Sequence, residues 1–150
     1  MFHAVAHIGF TVSDLDRSVA FYRDVLNLEY QGEMTMNGPE TAALFCREHC
    51  SARVAYLRAE DPSTPPVELI QFTDQPAHTL RPSLFATSIS ELCFSTDDID
   101  REYHRLRELG VEFLSEPQTF DSTAYGFGRS RAVYFRNPDG NILELIQALS

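Results

Sequence analysis

Positive charge is scarce in this sequence. Twelve Lys and Arg stand against twenty-two Asp and Glu, a formal net charge of −10 over 150 residues. The clustered cations that neutralise phosphates in a nucleic-acid groove are therefore missing, and an anionic membrane surface would repel the chain. Long apolar runs are missing too. No stretch approaches the length of a bilayer span, and the opening Met-Phe-His-Ala-Val-Ala-His has no basic segment ahead of its apolar residues, so the expectation is a cytoplasmic protein with neither signal peptide nor membrane span. Low-complexity tracts and tails of like charge are also absent, which argues against disorder. Cysteine is sparse and odd in number: Cys46, Cys50 and Cys93 cannot all pair. A chain of this length also buries enough core to fold without disulfides, so reduced thiols are expected. Cys46, His49 and Cys50 lie close together, but three residues separate the cysteines and no second pair follows. Partly buried thiols are the better reading there than a zinc knuckle.

What the chain does have is the composition of one globular domain, 43% hydrophobic and 23% charged, and an internal repeat. His7-Ile-Gly-Phe-Thr-Val-Ser-Asp-Leu-Asp lies over Glu91-Leu-Cys-Phe-Ser-Thr-Asp-Asp-Ile-Asp, 84 positions later. Each reads as a short strand running into helix-capping Ser, Thr and Asp. The helices that follow match as well. Leu15, Val19, Tyr22 and Leu26 form one apolar stripe, and Ile99, Tyr103, Leu106 and Leu109 form another. Asn27 and Gly110 then occupy the left-handed C-terminal position. Each copy closes with one acid among aliphatics, Val67-Glu-Leu-Ile and Leu143-Glu-Leu-Ile. Two further strands per copy are expected between helix and closing strand, near 28–34 and 53–58, and near 111–114 and 131–136. Asn137-Pro-Asp-Gly makes 131–146 a hairpin, and Asp61 to Pro66 is a longer form of the same connection. The expected division is a first module at about 1–73, a connector at about 74–88 and a second module at about 89–150, in a single domain.

Strand parity then selects four side chains. Ile8, Phe10 and Val12 suit the face under the helix, which leaves His7 on the other face. By the same alternation Glu68, Glu91 and Glu144 fall opposite the helix sets of their strands. Taken singly, each has an ordinary reading, a satisfied histidine or a solvent-facing glutamate. Two matched pairs in a duplicated module change that balance. Glu68 and Glu144 share their face with large aliphatics and Phe72, where unpaired carboxylates are costly and mutually repulsive. A divalent cation relieves both penalties.

These stretches resemble the glyoxalase, bleomycin-resistance and extradiol-dioxygenase group, the vicinal-oxygen-chelate superfamily. The resemblance rests on residues 7–18 with Phe21-Tyr-Arg-Asp-Val-Leu, on Val67-Glu-Leu-Ile, on residues 91–100 and on Tyr134-Phe-Arg-Asn-Pro-Asp-Gly-Asn-Ile-Leu-Glu-Leu-Ile. It implies an α+β fold in which two βαβββ modules form a curved mixed sheet that cups a metal, with His7, Glu68, Glu91 and Glu144 as ligands. Glu91 departs from the family, where histidine is common, and so either ligates or serves otherwise. One imidazole and three carboxylates form a hard set, suited to Mn, Fe(II), Mg, Ni or Co more than to zinc. The resemblance further implies isomerase, epimerase or lyase chemistry through a metal-stabilised enediolate of a small substrate with adjacent oxygens, Glu144 or Glu68 moving the proton.

Two alternatives stand beside it: an Fe(II) extradiol-type dioxygenase using His7, Glu91 and Glu144, and a metal-free antibiotic-sequestering protein with an aromatic lip at Phe120 to Phe127. Thr11 and Phe72 stand where glutathione-dependent relatives carry Arg and Asn, so a smaller substrate than a glutathione conjugate is expected. Arg129, Arg131 and Arg136 are weaker candidates for an anionic substrate group, and His3 for the lining of the cup. A homodimer is expected by resemblance, with the metal site completed within one chain or across two.

Overall fold

The structure, a computed structural model, describes residues 1–78 and 80–150, so Thr79, inside the expected connector, lies outside the described residues. The chain forms two compact units, Met1–Thr79 and Leu80–Ser150. The first contains strand β1 (Ile8–Thr11), helix α1 (Leu15–Ala20) continued by a π-helical turn over Phe21–Val25, strand β2 (Glu29–Met36), helix α2 (Pro39–Leu44), and strands β3 (Ala52–Arg58) and β4 (Val67–Phe72). The second contains β5 (Leu92–Ser95), α3 (Ile99–Glu108), β6 (Gln118–Ser122), a 3-10 turn at Thr123–Tyr125, β7 (Gly128–Arg136) and β8 (Ile142–Leu149). Each unit is βαβββ, the first with α2 added between its second and third strands, and each has one four-stranded mixed sheet, in the order β1-β4-β3-β2 and β5-β8-β7-β6. First and last strands pair in parallel, and the others are antiparallel. No helix among the described residues is long and apolar enough to cross a membrane.

The same three devices start the helix and hold it to the sheet in both units. Asp14 and Asp98 adopt extended backbone and cap their helices, each accepting an N–H three residues on at 3.0 Å. From the closing strand, Gln71 Oε1 accepts the Leu15 N–H at 2.9 Å, and Gln147 Oε1 accepts that of Ile99 at 3.1 Å. An arginine of the third strand then reaches a helix aspartate, Arg53 to Asp16 and Arg131 to Asp100. Beneath each helix lies the apolar face that parity predicts, with Leu15, Leu57, Leu69, Ile99, Val133 and Leu143 at 0–2% exposure.

Three expectations need correction. The stripe through Leu26 breaks because the π-helical turn, with Leu26 N–H bonded to Phe21 C=O, inserts an extra residue; Leu28 is buried in its place. Leu109 is 54% exposed, since α3 ends before it. In the second unit the strand expected at 111–114 makes only one isolated bridge, Phe113 to Phe135. Pro117 has no N–H to continue a ladder, and the strand proper forms at 118–122. Asn27 and Gly110 do take left-handed conformations, with φ of 60° and 82°. The hairpin turn closes as expected, Asn137 Oδ1 accepting the N–H groups of Asp139 and Asn141.

The Asp98 cap is testable by itself. Asp98→Ala should lower the stability by about 1 kcal/mol, read as a lower urea midpoint at unchanged m, whereas Asp98→Asn should keep most of it.

Candidate metal centre

His7 and Glu68 meet because β1 and β4 pair in parallel. The register sets Ile8 beside Val67 and Gly9 beside Glu68, which brings His7, one residue ahead of the strand, to the carboxylate. His7 Nε2 lies 3.5 Å from Glu68 Oε2, and the imidazole is 45% exposed while the glutamate side chain is 11% exposed. The other carboxylate oxygen accepts the Tyr56 hydroxyl at 2.5 Å, Tyr56 being the register partner of Glu68 on β3. The packing at Gly9 is close, since a Cβ there would stand 3.1 Å from Glu68 Oε2 and the carboxylate would have to give. The hydrogen bond to Glu68 holds the Tyr56 phenol proton, and burial and the carboxylate charge add to it, so the group is pushed up to about 12.

The second unit repeats the scheme with different side chains. β5 sets Cys93 beside Glu144, and β7 sets Tyr134 on its other side, where the first unit has Gly9, Glu68 and Tyr56. Burial pushes the Glu144 carboxyl up; the Cys93 thiol acts the other way, and the charge of Glu91 adds to the rise. Cys93 is exposed as a residue. Partial burial of its thiol first, then hydrogen bonding with Glu144 and the charges of Glu144 and Glu91, push the thiol up to about 12. Tyr134 is likewise raised, by burial and then by the charges of Glu144, Glu91 and Cys93.

Each unit thus carries half of the expected ligand set, His7 with Glu68 in one and Glu91 near Glu144 in the other. Among the described residues no three His, Cys, Asp or Glu side chains form one metal-binding group. The donor chemistry nonetheless fits a divalent ion. Two donors on one ion at bond lengths near 2.1 Å stand about 3.0–3.5 Å apart, which matches the separation of His7 Nε2 and Glu68 Oε2. The mutual repulsion of Glu91 and Glu144 is what a cation would relieve.

Other candidates are engaged elsewhere. Arg131 is bonded to Asp100, and Arg136 Nη1 donates to the carbonyls of Pro82 and Gly140 at 3.2 and 2.6 Å. Both hold the fold, and Arg136 does so with its side chain only 13% exposed. His3 and Arg129 are exposed. The aromatic segment divides, with Phe120 in β6 paired to Ser130, while Tyr125 and Phe127 remain 80% and 86% exposed. Tyr56, Tyr134, Gly9 and Cys93 join the site although sequence reasoning passed over them. A third repeated segment carried the signal for the tyrosines, Arg53-Val-Ala-Tyr-Leu-Arg over Arg131-Ala-Val-Tyr-Phe-Arg. Parity carried the signal for Gly9 and Cys93, two residues beyond His7 and Glu91.

The Tyr56 phenol gives an optical test. In an ultraviolet titration one tyrosine should ionise near pH 12, and Tyr56→Phe should remove that step. Because the unfolded phenol ionises near its ordinary value of 10.0 and the folded one near 12, unfolding releases a proton between those values. Stability should therefore fall as the pH rises through that window, with a shallower fall in Tyr56→Phe.

Comparison with known proteins agrees with this architecture. Residues 4–145 match the model of the Glyoxalase/Bleomycin resistance protein/Dioxygenase superfamily. A 2-epi-5-epi-valiolone epimerase from Actinomyces sp. is 31% identical over 147 residues, 95% of this chain and 78% of the relative. A glyoxalase family protein from Bacillus cereus superposes with a TM-score of 0.85 at 20% identity, covering 100% of this chain and 97% of its own. The fosfomycin resistance protein FosX from Listeria monocytogenes, crystallised with Mn(II) and sulfate, superposes with a TM-score of 0.62 at 18% identity over 99% of this chain and 95% of its own. A family match over nearly the whole length, on a fold with one βαβββ unit in each half, establishes that this chain belongs to the glyoxalase, bleomycin resistance protein and dioxygenase superfamily.

Proposed function

We propose that this chain is a divalent-metal-dependent enzyme, an epimerase, isomerase or lyase acting on a small substrate with adjacent oxygens, in which His7, Glu68, Glu91 and Glu144 ligate one cation. The supporting observation is the His7–Glu68 pair, an imidazole nitrogen 3.5 Å from a carboxylate oxygen whose partner oxygen is already fixed by Tyr56. When bound, a divalent cation supplies Lewis acidity toward two neighbouring substrate oxygens. The FosX structure contains Mn(II), and manganese is accordingly the first metal to test.

The two closing-strand glutamates divide the work. Glu68 has one oxygen held by Tyr56 and the other against His7, so it is suited to ligation. Glu144 has a carboxyl raised by burial and is suited to taking a proton from a carbon beside the substrate oxygens and returning it. Tyr134 and Cys93 flank Glu144 on the neighbouring strands. The assembly we propose is a homodimer; the strongly exposed Phe2, Leu80, Phe85 and Ile89 supply apolar surface for it. Sedimentation equilibrium should then return twice the chain mass.

Metal analysis of the protein as purified, with Mn(II) titration followed by electron paramagnetic resonance, tests the ligand set. His7→Ala should weaken Mn(II) binding by about tenfold or more. With 2-epi-5-epi-valiolone as first substrate, solvent deuterium incorporation should require the metal and fall by about 10²–10⁴ in Glu144→Gln. A protein that neither retains nor binds a divalent ion would overturn this reading.

A further inference from the structure

The sheet face that carries Glu68 also holds a cation that no side chain neutralises. Alternation along β3 puts Tyr56 and Arg58 on one face, and Arg53, Ala55 and Leu57 on the other. Arg53 is neutralised by Asp16 and Glu33. Arg58 is not. Its Nη1 donates to the carbonyls of Pro62 and Thr64 at 2.9 and 3.2 Å, and among the described residues no carboxylate lies within ion-pairing distance of it. Two bonds to neutral acceptors fix the guanidinium in place and leave its charge whole.

The second unit provides the comparison. Arg136 occupies the place of Arg58 in the repeated segment and also clamps two carbonyls, those of Pro82 and Gly140. Glu112, however, lies 3.6 Å from its Nε, and residues 81–85 of the chain itself line the cavity beside it. Beside Arg58 there is instead a cavity of 390 Å³ lined by Gln31, Met34, Tyr56, Arg58 and Pro66, within the size range of small-molecule sites. Glu33 also borders it, but that carboxylate is bonded to Arg53 at 2.6 Å. Tyr56 is common to this cavity and to Glu68. The chain as a whole carries −10, so general electrostatics disfavour anions, and an anion would be captured only by a local, preorganised cation. The remaining N–H donors of a fixed guanidinium suit a planar carboxylate or a phosphate.

We infer that this cavity binds an anionic small molecule, with a carboxylate or phosphate seated on Arg58 and the neutral, oxygen-bearing remainder toward Tyr56 and Glu68. The anion site stands on the geometry of Arg58. Its assignment as the anchor for the substrate of the metal-dependent reaction rests on the reading given above.

The test uses the metal-free protein, labelled with ¹⁵N and titrated with inorganic phosphate and, separately, with malonate. Amides of residues 31–34 and 56–58 should shift with at least one of the two anions, and the stronger ligand tells phosphate from carboxylate. Arg58→Gln, which keeps a donor for a loop carbonyl and removes the charge, should weaken binding by about tenfold. Arg58→Lys, which keeps the charge, should stay within about threefold of wild type. Shifts from neither anion, shifts unchanged in Arg58→Gln, or equal loss in both variants would each overturn the inference. Mn(II) affinity should be the same in all three proteins. Because the anion titrations need no metal, a wild type that binds anion but not Mn(II) would overturn the metal reading and leave this site standing.

Discussion

Parallel pairing of β1 with β4 leaves no latitude in what meets at the carboxylate. With Gly9 beside Glu68, His7 falls at the strand entrance next to the buried oxygen, and Ile8 and Phe10 fall on the helix side with Val67 and Leu69. A slip of one residue would exchange the two faces and place the imidazole under α1. Register is therefore fixed twice, by the apolar face that must be covered and by Gln71, which lies on that face and holds the first N–H of the helix. The half-site is a by-product of the same alignment that builds the core. Glycine at position 9 leaves the Glu68 carboxylate room, since a Cβ there would come within 3.1 Å of it.

Duplication kept the framework and let the opposite face diverge. The caps at Asp14 and Asp98, the glutamines at 71 and 147 and the arginines at 53 and 131 make the same contacts in both units. The caps start each helix and the glutamines and arginines tie it to the sheet, where a loss would cost stability. On the other face Gly9 is replaced by Cys93, and the tyrosine that donates to Glu68 in one unit stands beside Glu144 in the other with its phenol raised by burial first. Glu68 is consequently held by a strong neutral donor and an imidazole, whereas Glu144 shares its surroundings with a thiol and a second carboxylate. Two residues at equivalent positions thus acquire different chemistry from their neighbours alone.

The parts of the molecule legible in the sequence were those governed by short-range periodicity. The repeat at 7–16 and 91–100, the capping aspartates, the left-handed Asn27 and Gly110 and the Asn137-Pro-Asp-Gly turn all report local conformation, and so does the face on which each glutamate stands. Partners across a sheet are less legible, because register depends on loop lengths that periodicity does not fix. Tyr56 donates to a residue twelve positions away, and Cys93 meets Glu144 across a whole unit's length of chain. The π-helical turn after α1 escaped for another reason. The apolar stripe through Tyr22 is continuous in sequence, and only the buried Leu28 and half-exposed Leu26 reveal the extra residue. Pro117 was the one visible warning that the strand at 111–114 would not continue.

Stability by itself gives no reason for Arg58 to lack a counter-charge. The chain has an excess of carboxylates, and Glu29 is the register partner of Arg58 on β2, while Glu112 lies beside Arg136 with its carbonyl accepting the Arg136 N–H. In the second unit Glu112 lies 3.6 Å from the arginine, while in the first Glu29 is exposed and forms no ion pair with Arg58 among the described residues. A guanidinium pinned by two carbonyls, beside an open cavity and two register positions from a buried glutamate, is a charge that the fold holds in place without a counter-ion. Such a position is more economically explained by an anion that comes and goes than by the core it borders.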